Sequence, residues 1–208
     1  MAAVAQEKDT ILFPLKIRIG ADVFGPGYYL ADKNTFAVEG FLSADRNSTI
    51  SYALDAGYNK FSYSQYNYEY NSSGLFMRLG LDFNIISPST SKGRYFAGAG
   101  LKYGISLYTH ETPLFNDENY WGSSTGSIEK STKLAHFIEA SPGIRTELFS
   151  NFSIGWSIRL KLLISAGTGK DLKPVYIPGY GNGTKSFSPG INYYLIWSIP
   201  YKEKQIIK

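Results

Sequence analysis

Apolar and polar residues alternate along most of the chain with a period of two, and almost nowhere with the period of a helix. That alternation predicts strands. The first run sets Leu15, Ile17, Ile19, Ala21 and Val23 against Lys16, Arg18, Gly20 and Asp22. Further runs of the same kind occupy residues 36–43, 50–58, 75–83, 95–107, 136–148, 154–165 and 190–199, giving eight strands. The connections alternate in length: 25–34, 59–73, 110–131 and 167–185 are long, whereas 44–48, 85–93 and 150–151 are short. Short turns at one end, long loops at the other and an even strand count predict an all-β fold, an eight-stranded antiparallel up-and-down transmembrane barrel. No run of about 18 apolar residues is present, so any membrane crossing falls to strands. Pro142 lies inside the sixth run and removes a ladder donor, which predicts a bulge or local break there.

The ends of the chain read differently from its middle. Ala3-Val4-Ala5 before Gln6 has the small-x-small form of a secretory cleavage site. Residues 1–12 are therefore expected to be a signal-peptide remnant and periplasmic N-terminus, 13–201 the barrel, and 202–208 a short periplasmic tail.

Alternation does not say which face is inside, because a soluble barrel around an apolar ligand pocket would show the same pattern. The composition of the polar face decides for a polar interior. It carries many glycines, which make room for long side chains inside a narrow barrel. Its charges also nearly cancel, as a desolvated lumen requires. Arg18, Glu39, Arg78, Lys102, Glu139, Arg145, Glu147, Arg159 and Lys161 are the expected interior ion-pair network. It would plug a barrel too narrow to conduct. Aromatics gather near the short-turn ends of the strands, where Phe13, Tyr52, Phe83, Tyr95, Trp156, Trp197 and Tyr201 form a candidate interfacial girdle.

The remaining chemistry is sparse. The 208 residues carry a net charge of +4, with 16% aromatic residues, 18% charged residues, two His and no Cys. Disulfide frameworks, thiolate metal sites and Cys nucleophiles are excluded, and a multi-histidine metal site is disfavoured. No cofactor is expected. The weak, dispersed positive charge does not point to nucleic acid. His110, Glu111 and Thr112 open the longest loop and could in principle run acyl chemistry on lipid A, but Thr replaces Ser and no oxyanion donor is evident. Tyr63, Tyr66, Tyr68 and Tyr70, with Tyr176 and Tyr180 of a Gly/Pro/Tyr segment, are a candidate contact surface in the long loops.

The last run has the form of an outer-membrane assembly signal, a polar residue followed by Gly and spaced apolar residues: Ser188, Gly190, Tyr193 and Leu195. From Phe137 onward the chain resembles an uncharacterised family of small outer-membrane barrels of the Bacteroidetes type. The resemblance rests on Ile158-Arg159-Leu160-Lys161-Leu162-Leu163-Ile164-Ser165, on Val175-Tyr176-Ile177-Pro178-Gly179-Tyr180, and on Asn192-Tyr193-Tyr194-Leu195-Ile196-Trp197-Ser198-Ile199-Pro200-Tyr201. It implies an eight-stranded outer-membrane barrel and no activity. The functional expectation is a non-enzymatic accessory or scaffold subunit of a larger outer-membrane complex for insertion, secretion or uptake. Its expected partners are outer-membrane lipid and lipopolysaccharide, that complex, and the barrel assembly machinery during biogenesis. The alternatives are a lipid-A-modifying enzyme using His110 and a surface adhesin or ligand binder.

Overall fold

The computed structural model describes residues 10–119, 122–168 and 173–207. Its strands are β1 (Thr10–Asp22), β2 (Thr35–Asp45), β3 (Ile50–Gln65), β4 (Tyr68–Asn84), β5 (Tyr95–Asn119), β6 (Gly122–Phe149), β7 (Phe152–Ser165), the two-residue β8 (Tyr176–Ile177) and β9 (Gly181–Asn182), and β10 (Phe187–Ile207). Two short helices interrupt them, α1 (Phe24–Ala31) and α2 (Pro88–Ser91). β1–β7 and β10 pair antiparallel in chain order, and β10 returns to β1 to close the barrel. β8 and β9 form a separate hairpin.

The expected alternation decides what faces where. Ile19, Leu42, Leu75, Leu79, Leu101, Ile158, Leu162 and Ile191 are exposed on the outer wall, while Arg18, Glu39, Asp55, Arg78, Glu139 and Arg159 are buried inside. In β3 and β4 the apolar outer rows run from Ile50 to Tyr58 and from Phe83 to Leu75, paired end to end. These match the about 9–11 residues a tilted strand needs to cross a bilayer.

Four sequence expectations change. The β1–β10 ladder shifts register between Leu15 and Lys16, where Tyr201 of β10 is left without a partner, and the face that β1 turns inward reverses there. Phe13 and Leu15 are therefore buried, and Phe13 is not a girdle residue. The barrel also outruns the 13–201 boundaries: β1 begins at Thr10, and residues 202–207 pair with 10–15 instead of forming a tail. Residues 201–205 are exposed on both faces of this ribbon and carry no apolar alternation, so the strand left no periodic signal. Residues 1–9, with the cleavage-site motif, lie outside the described residues.

The segments 59–73 and 110–131 are mostly strand extensions rather than loops. β3 and β4 stay paired up to Gln65↔Tyr68 around a turn at Tyr66, and β5 and β6 stay paired to Asn119↔Gly122. The first long connection is a helix, whose opening Phe24 N–H donates to the Asp22 carboxylate at 3.1 Å. At Pro142 the ladder to β7 skips Ser141 and Pro142 without losing register, while pairing to β5 continues through Ala99. The expected local break is present; the bulge is not.

Candidate functional site

The lumen is filled in three layers. In the middle, Arg78 is fully buried between three carboxylates, at 2.5 Å from Glu39, 2.8 Å from Glu139 and 3.4 Å from Asp55. Arg159 reaches the same three: it pairs with Glu39 and lies 3.4 Å from Glu139 and 3.8 Å from Asp55. Lys102 closes the set at 2.8 Å from Asp55. Three cations thus face three anions contributed by six strands, β2 through β7. Buried charge is tolerated when it is paired in this way. The Tyr194 hydroxyl, hydrogen-bonded to Arg159, donates to Glu39 at 3.1 Å.

Toward the short turns lies a second, separate set. Arg18 makes two hydrogen bonds to Asp45, one at 2.8 Å, and Ser51 Oγ donates to the same carboxylate at 2.7 Å. Lys16 Nζ pairs with Glu147 at 2.6 Å. The sequence-predicted network is therefore two clusters. Glu147 and Arg18 belong to the second, Lys161 instead donates to the Gly179 carbonyl at 3.3 Å, and the Arg145 guanidinium lies over the Phe96 ring. Asp45, read from sequence as part of a turn, is the last residue of β2 and anchors the second cluster. Below it, Gly93 after α2 packs on Pro14 of β1, beside the buried Phe13 and Leu15.

At the long-hairpin end the lumen becomes apolar. Tyr108, Ala135, Phe137, Ile177 and Tyr180 form one buried cluster. Ile177 and Tyr180 come from the β7–β10 connection, which folds back into the mouth as a plug. Residues 177–180 make a turn with Tyr180 N–H donating to the Ile177 carbonyl at 3.1 Å. Pro178 and Gly179 occupy its centre, as a type II turn prefers. Gly179 has φ +75°, and any Cβ there would strike the Phe76 ring. Tyr176 stacks on Phe61 with centroids 4.9 Å apart, its carbonyl accepts from Ser72 Oγ at 2.9 Å, and its hydroxyl lies 2.8 Å from the Asn59 amide. Burial pushes the Tyr176 phenol up to about 12, with the Asn59 contact pulling the other way.

The predicted contact surface consequently divides. Tyr63 and Tyr66 are exposed at the β3–β4 tip, Tyr66 at 97%, and Tyr68 is half-buried. Tyr70 and Tyr180 are buried and Tyr176 is mostly covered, because all three pack the plug rather than offer a surface. Of the girdle, Tyr52, Phe83, Tyr95, Trp156, Trp197 and Tyr201 are exposed on the outer wall. Gly190 faces the lumen, where a Cβ would sit 3.5 Å from Lys161 Nζ, and Tyr193 and Leu195 face outward.

His110 sits in β5, buried beside the Tyr70 and Tyr108 rings, with Ser131 Oγ 3.1 Å from Nε2. Glu111 points to the opposite face, where its carboxylate accepts from the Asn71 amide at 3.1 Å. The strand alternation separates the His–carboxylate pair that acyl chemistry would need. Among the described residues no group of three or more His, Asp or Glu could hold a metal ion.

A family model described as a domain of unknown function (DUF6048) matches residues 2–204. The chain belongs to this family. The uncharacterised status expected from the resemblance agrees with its description. No curated protein matches the chain. Similar solved structures include Ail, the attachment invasion locus protein of Yersinia pestis, at 13% identity and a TM-score of 0.43, covering 93% of this chain and 99% of that one. Neisserial surface protein A is another, at 11% identity and a TM-score of 0.42, covering 93% of this chain and 100% of that one.

Proposed function

We propose that this member of the family is an integral barrel of a bacterial outer membrane that works through its surfaces, as an accessory or scaffold subunit of a larger outer-membrane assembly. The observation that carries this reading is an apolar outer wall of bilayer-crossing height around a lumen filled by paired charges and sealed by a plug. Such a molecule has its contact chemistry on the outside. In this reading the long hairpins are extracellular, and the short turns and the β1–β10 ribbon are periplasmic. Gly190, Tyr193 and Leu195 of β10 present the assembly signal to the insertion machinery, and lipid and lipopolysaccharide surround the wall.

The exposed β3–β4 tip is the contact point for the partner, because Tyr63 and Tyr66 offer rigid area with a polar end. The test is purification of tagged protein from native membranes in mild detergent after cross-linking. A stoichiometric protein partner, lost in Tyr63→Ala/Tyr66→Ala, is the expected result. Recovery of monomer alone would overturn the scaffold role. The same exposed tip also favours a surface ligand binder, and binding of the double variant to whole cells or glycans measures that second reading.

A further inference from the structure

The outer wall changes character abruptly along β3–β6. The paired row Tyr58, Leu75, Leu107 and Leu134 is apolar or aromatic, and the next row, Lys60, Ser73, Thr109 and Thr132, is polar throughout. Directly below this boundary lies an apolar groove of about 600 Å³, lined by Val38, Ala56, Tyr58, Leu75, Met77 and Leu107. Ala56 is small and paired with Gly40 on one side, which lowers the wall between the larger side chains. Directly above lies a polar cleft of about 320 Å³, lined among others by Lys60, Asn71, Ser73, Thr109, Glu111 and Lys130. Tyr58 lines both, so the two adjoin across its side chain.

The polar cleft is a built surface. Ser73 and Thr109 hydroxyls lie 3.4 Å apart across the β4–β5 pair, and Glu111 is engaged by Asn71. Lys60 and Lys130 outnumber Glu111 and leave the cleft with a net positive charge beside several hydroxyl and amide groups. That combination fits a ligand carrying both phosphate and sugar hydroxyls. The groove beneath adds a place for an acyl chain, held by packing against its apolar lining rather than by removal from water.

We propose that the outer face of β3–β6 is a specific site for a phosphorylated glycolipid of the outer leaflet, with headgroup phosphate on Lys60 and Lys130 and an acyl chain in the Ala56 groove. The inference rests on the membrane orientation proposed above. It is tested by native mass spectrometry of the full chain in detergent micelles titrated with bisphosphorylated lipid A, with phosphatidylethanolamine and deacylated glucosamine phosphate as comparisons. A single 1:1 lipid A adduct is expected, at least about tenfold weaker in Lys60→Gln/Lys130→Gln because two charge-assisted contacts are lost. Ala56→Phe, which fills the groove without touching the cleft, is expected to weaken lipid A binding and to leave the weak binding of the deacylated sugar unchanged.

Both variants alter exposed side chains, and heat-dependent gel mobility checks that each is folded. Equal binding by wild type and both variants would overturn the site, as would a deacylated sugar phosphate binding as tightly as lipid A. A chain that stays monodisperse without detergent would bring down the membrane reading itself, a result distinct from either.

Discussion

At the scale of single residues the lumen works by matching large side chains to absent ones. A Cβ on Gly104 would collide with the Phe137 ring, one on Gly57 would lie 2.5 Å from Phe76, and one on Gly20 would lie 2.6 Å from Phe41. Gly104→Val is therefore expected to cost at least the 1–3 kcal/mol typical of overpacking, about the same order as a lost core methyl pair, read as a lower urea midpoint for the folded barrel in lipid vesicles. Arg78→Met leaves Glu39, Asp55 and Glu139 one cation short and is expected to cost about 3–5 kcal/mol in the same assay. Adding Glu139→Gln removes one of the unpaired anions, so the double variant should lose less than the two single losses combined. Much of this interior is legible in the sequence. Phe41, Phe76 and Phe137 share the parity of Glu39, Arg78 and Glu139, so strict alternation already places them inside beside glycines of neighbouring strands. Phe13 is the exception, because the inward face of β1 switches parity where Tyr201 of β10 is left unpaired, and nothing in the residue types around Leu15 announces it.

Elements are harder to read than residues. The β7–β10 connection is recognisable as a loop from its Gly, Pro and Tyr content, yet a loop has no period and so no predicted face. Its inward direction comes from contacts with Phe61, Tyr70, Ser72 and Phe76, over a hundred residues earlier in the chain. The split of the charges into two clusters is hidden too, because pairing across the lumen joins residues such as Lys16 and Glu147 that lie 131 positions apart in sequence. The plug should respond to alkali. Because burial raises Tyr176 from 10.0 to about 12, the folded state favours the neutral phenol. Its contribution to plug seating is fully present below pH 10 and is lost as pH rises through 12. Protease cleavage within 173–185 should therefore accelerate over that window. Tyr176→Phe should remove the part of this acceleration that titrates near 12.

For the whole molecule, the question is which layer does the sealing. The plug closes one mouth, the central cluster spans the middle, and α2 with Gly93 covers part of the other end against Pro14. Between the central cluster and that end, a cavity of about 60 Å³ remains, bordered by Asp82, Phe96, Lys102, Ser141 and Arg145. It has room for a few waters and none for a hydrated ion stream, as expected where eight strands leave an interior just wide enough for side chains. The layers act in series, so opening one leaves the others shut. The intact chain is expected to show no steady conductance in planar bilayers. Deleting residues 176–183 and joining the ends with a short Gly/Ser linker should also give none, because Arg78 and Arg159 still fill the cross-section with Glu39, Asp55 and Glu139. Ohmic steps from the deletion alone would make the loop the only barrier and the charge cluster a permeation path. Silence from the deletion, with conductance appearing only after Arg78→Ala/Arg159→Ala is added, identifies the ion-paired layer as a seal in its own right, in series with the plug.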